Sequence, residues 1–160
     1  MTAGHTEPPM FTGAHERLLD AGLRVILPKD WRSLKITEFF LIPGSAEPFI
    51  KAMPHAEYAG KVAEIKGDTS LTRLQRNTYL RDLGYQCVRV LLDSAGRLTV
   101  PLEICKRIGV SAAKPDVVLL GVVDGFEIWH PKDFGKWKDK QAKPAEAGQS
   151  RMNVQEFLGV

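Results

Sequence analysis

Leu91-Leu92-Asp93-Ser94-Ala95-Gly96-Arg97-Leu98-Thr99-Val100-Pro101 is the stretch on which the reading of this chain turns. Apolar residues run into an Asp, a small glycine-containing turn follows, and an Arg opens a second β-prone run that Pro101 stops. The pattern predicts two strands joined by a tight turn, with Arg97 just past its tip. Asp93 stands where it can accept a hydrogen bond or ion pair from Arg97 and fix the direction of the guanidinium. Taken alone, the motif is better explained as a surface turn with a solvated arginine.

It is not alone. Leu18-Leu19-Asp20-Ala21-Gly22-Leu23-Arg24-Val25-Ile26-Leu27-Pro28 repeats it, with Arg four positions and Pro eight positions after the Asp and a constant offset of 73 residues. Val25 and Leu27 keep the phase of Leu98 and Val100, so the same alternate residues face one side of each strand. A weaker echo follows, in which Met53-Pro54-His55-Ala56-Glu57-Tyr58 resembles His130-Pro131-Lys132-Asp133-Phe134. The copies predict an internal duplication folded about a pseudo-two-fold axis.

These residues carry a family resemblance. The two Asp-x-x-x-Arg turns, their Pro stops and Phe126-Glu127-Ile128-Trp129 resemble the MraZ family of bacterial transcriptional regulators, within the wider SpoVT/AbrB-like swapped-hairpin group. The resemblance runs from Met10 to Trp137 and is most specific over Asp93 to Pro101 and Val117 to Trp129. It implies a mainly β fold with α: a duplicated swapped-hairpin AbrB-like β barrel with pseudo-two-fold symmetry and flanking helices. It also implies oligomeric rings, DNA binding through the Asp-x-x-x-Arg elements, and control of the protein's own operon of cell-division and cell-wall genes. One position departs from the family pattern. The Gly that precedes Arg97 is Leu23 in the first copy. If the turn needs a positive φ there, Leu costs about 1–2 kcal/mol, and Gly22 offers another place for the bend. The sequence therefore ranks Arg24 below Arg97 as a DNA contact.

Composition bounds the rest. Hydrophobic residues at 44% and charged residues at 26% fit an ordinary globular chain able to bury a core. No run approaches a membrane span, and the N-terminus lacks a charged-then-apolar signal pattern, so a cytoplasmic protein is expected, and the family resemblance implies that it is nucleoid-associated. A net charge of +3 permits nucleic-acid binding without demanding it. Cys87 and Cys105 form no Cys-x-x-Cys pair and read as reduced thiols. His5, His15, His55 and His130 lack metal-ligand spacing, so neither a metal nor a cofactor is expected.

Along the chain, residues 1–9 read as a disordered extension, 10–83 as the first repeat with connecting helices, 84–142 as the second repeat, and 143–160 as a flexible tail. The first strand is expected near His15 to Leu19 and the second over Val25 to Leu27. Pro28 to Leu34 suits a short helix carrying Lys29, Arg32 and Lys35 as a basic stripe, either solvated or touching phosphate. Thr37 to Ile42 and Phe49 to Met53 read as paired strands, and Pro54 opens a helix to Lys66 with Tyr58, Val62 and Ile65 along one side. Thr69 or Ser70 is expected to cap the next helix, which Gly84 ends at Leu83. On it Leu71, Leu74, Thr78 and Leu80 are placed inward, while Arg73, Arg76 and Arg81 face DNA, another subunit or solvent.

Gln86 to Leu92 reads as the strand entering the second Asp turn, with Arg89 flanking Arg97. Pro101 to Ile108 is the second short helix, stopped by Gly109. Val117 to Val123 and Phe126 to Trp129 flank Asp124-Gly125, a type I′ hairpin signal, and Trp129 reads as core or interface. Pro131 opens a last helix to Lys140. In the tail, Asn153 with Glu156 can cap a final turn presenting Val154, Phe157 and Leu158.

Enzyme signatures are missing: no nucleophile elbow, Walker loop or dinucleotide fingerprint occurs. Asp20 and Asp93 each have an Arg four residues on, which lowers the carboxyl pKa and suits orientation of a guanidinium, not proton transfer. The expected function is a sequence-specific DNA-binding regulator with DNA-site residues Arg97, Arg24, Asp93, Asp20, Lys29, Arg32 and Arg89. Its expected partners are double-stranded DNA with repeated promoter boxes and further copies of itself in a ring, with no membrane and no small-molecule substrate. A ring-forming scaffold without base readout and an AbrB-like antitoxin stand as alternatives.

Overall fold

The computed structural model describes residues 10–143 and 154–160. The structure has eight strands, two pairs of which are local hairpins. β3 (Glu38–Pro43) and β4 (Phe49–Pro54) make one antiparallel hairpin, and β7 (Asp116–Gly121) and β8 (Phe126–Trp129) make the other. Phe39, Leu41, Ile50 and Ala52 of the first, with Leu119, Phe126 and Ile128 of the second, point into one core.

Each hairpin is completed by the opening strand of the other copy. β1 (Ala14–Leu18) pairs with β7, and β5 (Val88–Leu91) pairs with β3. The sheet order β1-β7-β8-β4-β3-β5 therefore reads the same from either end under the repeat, which is the exchange a swapped-hairpin duplication requires. The edge strands β1 and β5 run on through the two Asp turns into β2 (Arg24–Ile26) and β6 (Arg97–Thr99), which pair with each other as a separate antiparallel ribbon. Val25 and Leu98 of that ribbon are fully buried, and burying each contributes about 1.5–3 kcal/mol.

Two short helices follow the Pro stops. α1 (Lys29–Arg32) is anchored by Trp31, 3% exposed, whose indole N–H donates to the Thr12 carbonyl at 3.1 Å and whose ring lies among Phe11 and Phe126. α4 (Leu102–Ile108) buries Ile104, Cys105 and Ile108 and stops at Gly109, whose φ of 74° is left-handed. On the other side of the sheet α5 (Pro131–Ala142) covers a smaller cluster of Val118, Trp129 and Phe134, which puts Trp129 inside.

α2 (His55–Gly67) and α3 (Arg73–Gln86) form the connector, and neither contributes a buried residue. Tyr58 stacks on Phe40 at 3.9 Å, and Tyr58, Val62 and Ile65 do share the half-buried side of α2. Several expectations for α3 fail. Its cap is Thr72, in a reciprocal box with Gln75, because Asp68 already accepts from both N–H and hydroxyl of Ser70 and holds that residue in the preceding turn. The helix runs through Gly84 to Gln86, so the next strand starts later than Gln86. Leu74 is 76% exposed and does not pack inward, since α3 meets α2 and not the core. Arg76 turns back to donate to the carbonyls of Asp68 and Leu71.

The β7–β8 turn also differs from the expected type I′. Positive φ falls on Val123 (76°), not on Asp124 or Gly125. The Asp124 N–H donates to the Val122 carbonyl, a γ-turn, and Val123 is pinned by paired backbone bonds with Phe11. Gly125 is required for contact, not for turn type: a methyl there would stand 2.6 Å from the Ala52 carbonyl oxygen. Among the described residues no helix is long and apolar enough to cross a membrane. α6 (Val154–Leu158) presents Val154, Phe157 and Leu158 to solvent; the capping role of Asn153 falls outside the described residues, as does the extension 1–9.

Candidate nucleic-acid interface

The two Asp turns have the same bonds. In the first, Asp20 Oδ1 accepts from the Gly22 and Arg24 backbone N–H groups, both at 2.9 Å, while the Arg24 Nε–H donates to Oδ2 at 2.9 Å. In the second, Asp93 Oδ1 accepts from the Ala95 and Arg97 N–H groups at 2.9 Å, and the Arg97 Nε–H donates to Oδ2 at 2.8 Å. Backbone bonds close each loop identically: Asp20 with Leu23 and Arg24, Asp93 with Gly96 and Arg97. Each loop is thus a turn of type I pattern followed by one left-handed residue, which re-aligns the strands as a bulge.

That left-handed residue is Gly96 in one copy, with φ 80°, and Leu23 in the other, with φ 61°. Gly22 does not absorb the bend. The demand for positive φ is real, and Leu23 meets it because its side chain is half-buried against the core cluster that includes Cys105. The first turn is consequently intact, and the ranking of Arg24 below Arg97 loses its original ground.

Both carboxyls are held below the usual Asp range. The leading cause is the backbone N–H of the Arg four residues on, and the Arg side chain adds to it. This refines the expectation that the guanidinium charge dominates. Each Asp remains an anion at neutral pH and clamps its Arg by Nε, which leaves the Nη groups without a protein partner among the described residues.

The ribbon decides where they point. Its register pairs Arg24 with Thr99, Val25 with Leu98 and Ile26 with Arg97. Val25 and Leu98 face the core, so Arg24, Ile26, Arg97 and Thr99 share the outer face. The two arginines are diagonal neighbours on that face, about 7–8 Å apart on a regular ladder.

Of the other expected residues, Lys29 and Arg32 lie exposed on α1 next to this ribbon, held there by Trp31. Arg32 crosses to the second turn: a methyl on Gly96 would stand 2.2 Å from its Cδ. Arg89 is engaged elsewhere, donating to Glu38 Oε2 at 2.7 Å on the β3–β5 pair, with His55 on the other oxygen. That contact depresses the Glu38 pKa, Arg89 being its largest cause. Sequence reasoning missed the joining of Arg32 to Gly96. The signal lay in the repeat itself, since the 73-residue offset sets Arg32 opposite Cys105 and Leu23 opposite Gly96.

Among the described residues no His, Cys, Asp and Glu side chains cluster as metal ligands. Comparison with known proteins identifies the family. Residues 86–155 match a family described as "MraZ protein, putative antitoxin-like". A protein of Dehalococcoides mccartyi is 33% identical over 141 residues, covering 88% of this chain and 94% of the relative. Relatives from Phenylobacterium zucineum and Geobacter sulfurreducens are 27% and 28% identical, covering 92% and 84% of this chain and 91% of each relative. All three carry the name transcriptional regulator MraZ. With two matching turns, a swapped-hairpin sheet and relatives aligned along most of its length, the chain belongs to the MraZ family.

Proposed function

We propose that the protein is a sequence-specific DNA-binding transcriptional regulator that reads the major groove with the β2–β6 ribbon. The observation that carries this is the placement of Arg24 and Arg97 on one outward face, each clamped by its Asp through Nε. A two-stranded ribbon fits the major groove, and the outward Nη groups of Arg suit guanine O6 and N7. Asp20 and Asp93 act as orienting groups, Lys29 supplies positive charge beside the ribbon for the phosphate backbone, and Arg32 adds its charge at the second turn. Arg89, tied to Glu38, takes a supporting place on the sheet and makes no base contact.

The protein works as a ring-forming homo-oligomer on repeated boxes in the promoter of its own cell-division and cell-wall gene cluster, with the copies binding by avidity. Support for self-association comes from Leu18 and Leu91, exposed at 64% and 57% on the edge strands and related by the repeat. It is not an enzyme, needs no cofactor and acts in the cytoplasm at the nucleoid. The chain divides functionally into the repeats 10–83 and 84–142 and a tail at 143–160.

The deciding experiment is binding to DNA upstream of the protein's own gene and to a scrambled duplex at two salt concentrations. A preference for the native duplex at both salts is expected. Equal affinity would overturn base readout and favour a ring-forming scaffold.

A further inference from the structure

We infer that Arg32 belongs to the second turn as a DNA-reading residue, paired with Arg97, so that the two reading heads of one chain are unequal. This rests on the DNA-binding reading above. The aliphatic stem of Arg32 lies on the backbone of Gly96: a methyl there would meet its Cδ at 2.2 Å and its Cγ and Nε at 3.3 Å. Gly96 is buried by this cover although it sits in a turn. Arg32 comes from the other copy, and its approach is fixed, because the Leu27 N–H donates to the Gly96 carbonyl at 3.1 Å and Trp31 seats the helix between them.

The symmetry-related place is built differently. There the Val100 N–H donates to the Leu23 carbonyl at 2.8 Å, so the approach of the chain is the same. The residue equivalent to Arg32 is however Cys105, fully buried, and the residue equivalent to Gly96 is Leu23. A cation over a glycine in one head is a thiol and a leucine in the other. The second head therefore carries two guanidiniums, of which Asp93 compensates one. Arg32 is in none of the ion pairs of the described residues, so its charge over Gly96 is uncompensated by a direct partner. An anionic, acceptor-rich edge of DNA supplies that partner, and in the first head the same place is held by the buried thiol of Cys105. Removing the glycine gap evicts Arg32 while keeping its charge, and Leu23 already demonstrates that this loop keeps all its Asp–Arg bonds with a side chain at positive φ.

The test uses the full chain and two duplexes, the native upstream box and its scrambled form, with thermal melts as control. Arg32→Ala and Gly96→Ala are each expected to lower the native-to-scrambled affinity ratio by about tenfold. The double variant should be no weaker than Arg32→Ala, because both changes remove one arrangement. Arg32→Lys should retain scrambled binding and lose the ratio, since a point charge lacks the planar fork. Lys29→Ala should lower both duplexes equally. Equal loss on both duplexes for Arg32→Ala, or losses of Arg32→Ala and Gly96→Ala that multiply, would overturn the inference. Arg97→Ala keeps it separate from the broader reading. If Arg97→Ala lowers the ratio and Arg32→Ala does not, only the pairing is wrong; if neither does, base readout by this turn is wrong.

Discussion

Val25 and Leu98 face each other across the β2–β6 ribbon, both fully buried, at the one register position that the 73-residue repeat maps onto itself. The residues on either side of this pair carry the two arginines. The pair is therefore the floor beneath both arginines, and on the proposed reading core packing and DNA geometry meet at one contact.

Leu98→Ala should for that reason lower stability by about 2–5 kcal/mol, the range for a buried Leu truncated in a packed core. Thr99→Ala, one residue on and facing out, should stay within about 0.5 kcal/mol. Urea melts of the two variants decide this. A Leu98→Ala variant as stable as Thr99→Ala would mean that the ribbon is not seated on the core.

Much of this was readable beforehand, because repetition tests a motif against itself. Asp20 and Asp93, Pro28 and Pro101, and the phases of Val25 and Leu98 fix the strand–turn–strand units from local chemistry alone. What stayed hidden depended on cross-copy contact. Nothing near Arg32 in sequence announces Gly96, and Arg89 is claimed by Glu38, 51 positions away. Leu23 departs from the pattern in sequence because the core packing that accompanies its positive φ is not visible locally. Spacing on α3 directs Leu74 inward, although a connector helix resting on another exposed helix has no inside to offer.

The Asp turns predict an acid limb in stability. Asp20 and Asp93 have folded pKa values below the ordinary 3.8. The unfolded chain thus binds their protons first as pH falls, so their contribution is complete above the unfolded value and is lost as pH drops through the folded one. Stability should be flat with respect to these groups from pH 5 to pH 8, on the order of the neutral range, and fall below about pH 4. In urea melts over this range, Asp93→Asn should differ most from the parent at neutral pH and converge with it in acid. Parallel curves would show that Asp93 does not hold the turn as an anion.

Glu57 behaves in the opposite sense. It lies at the start of α2 beside Lys51, Nζ to Oε1 at 3.4 Å, and its Oε2 is buried with no partner. Burial raises its pKa, with Lys51 opposing and Asp124 reinforcing the shift. A carboxyl raised on folding stabilises most when protonated, below the unfolded value, and that contribution is lost as pH rises through the folded pKa. Glu57→Gln should therefore be at least as stable as the parent at pH 7, with the gap narrowing as pH falls towards 4.5. A clear loss of stability at pH 7 would mean that the Lys51 pair outweighs the desolvation.

On the proposed reading, the DNA contacts divide by what they read. Arg97→Ala removes one ion pair with a partly exposed Asp93, so its effect on the melt should stay within about 1 kcal/mol. Its effect on specific binding should reach about 1–3 kcal/mol, the value of a bidentate base contact. Arg24→Ala should act in the same direction and less strongly, because no second arginine covers its turn. Asp93→Ala should lower the native-to-scrambled ratio and also loosen the loop, since Asp93 holds two backbone N–H groups besides Arg97. Lys29→Ala, on the exposed helix beside the ribbon, should weaken every duplex alike and reduce the salt slope by roughly 0.9 per lost phosphate contact. Binding of each variant to the native box and its scrambled form across a salt series separates these effects. An unchanged ratio for Arg97→Ala with a normal melt would remove base readout from the second turn. A ratio lowered by Lys29→Ala would move that readout onto helix α1, and the ribbon would then serve only to carry the helix.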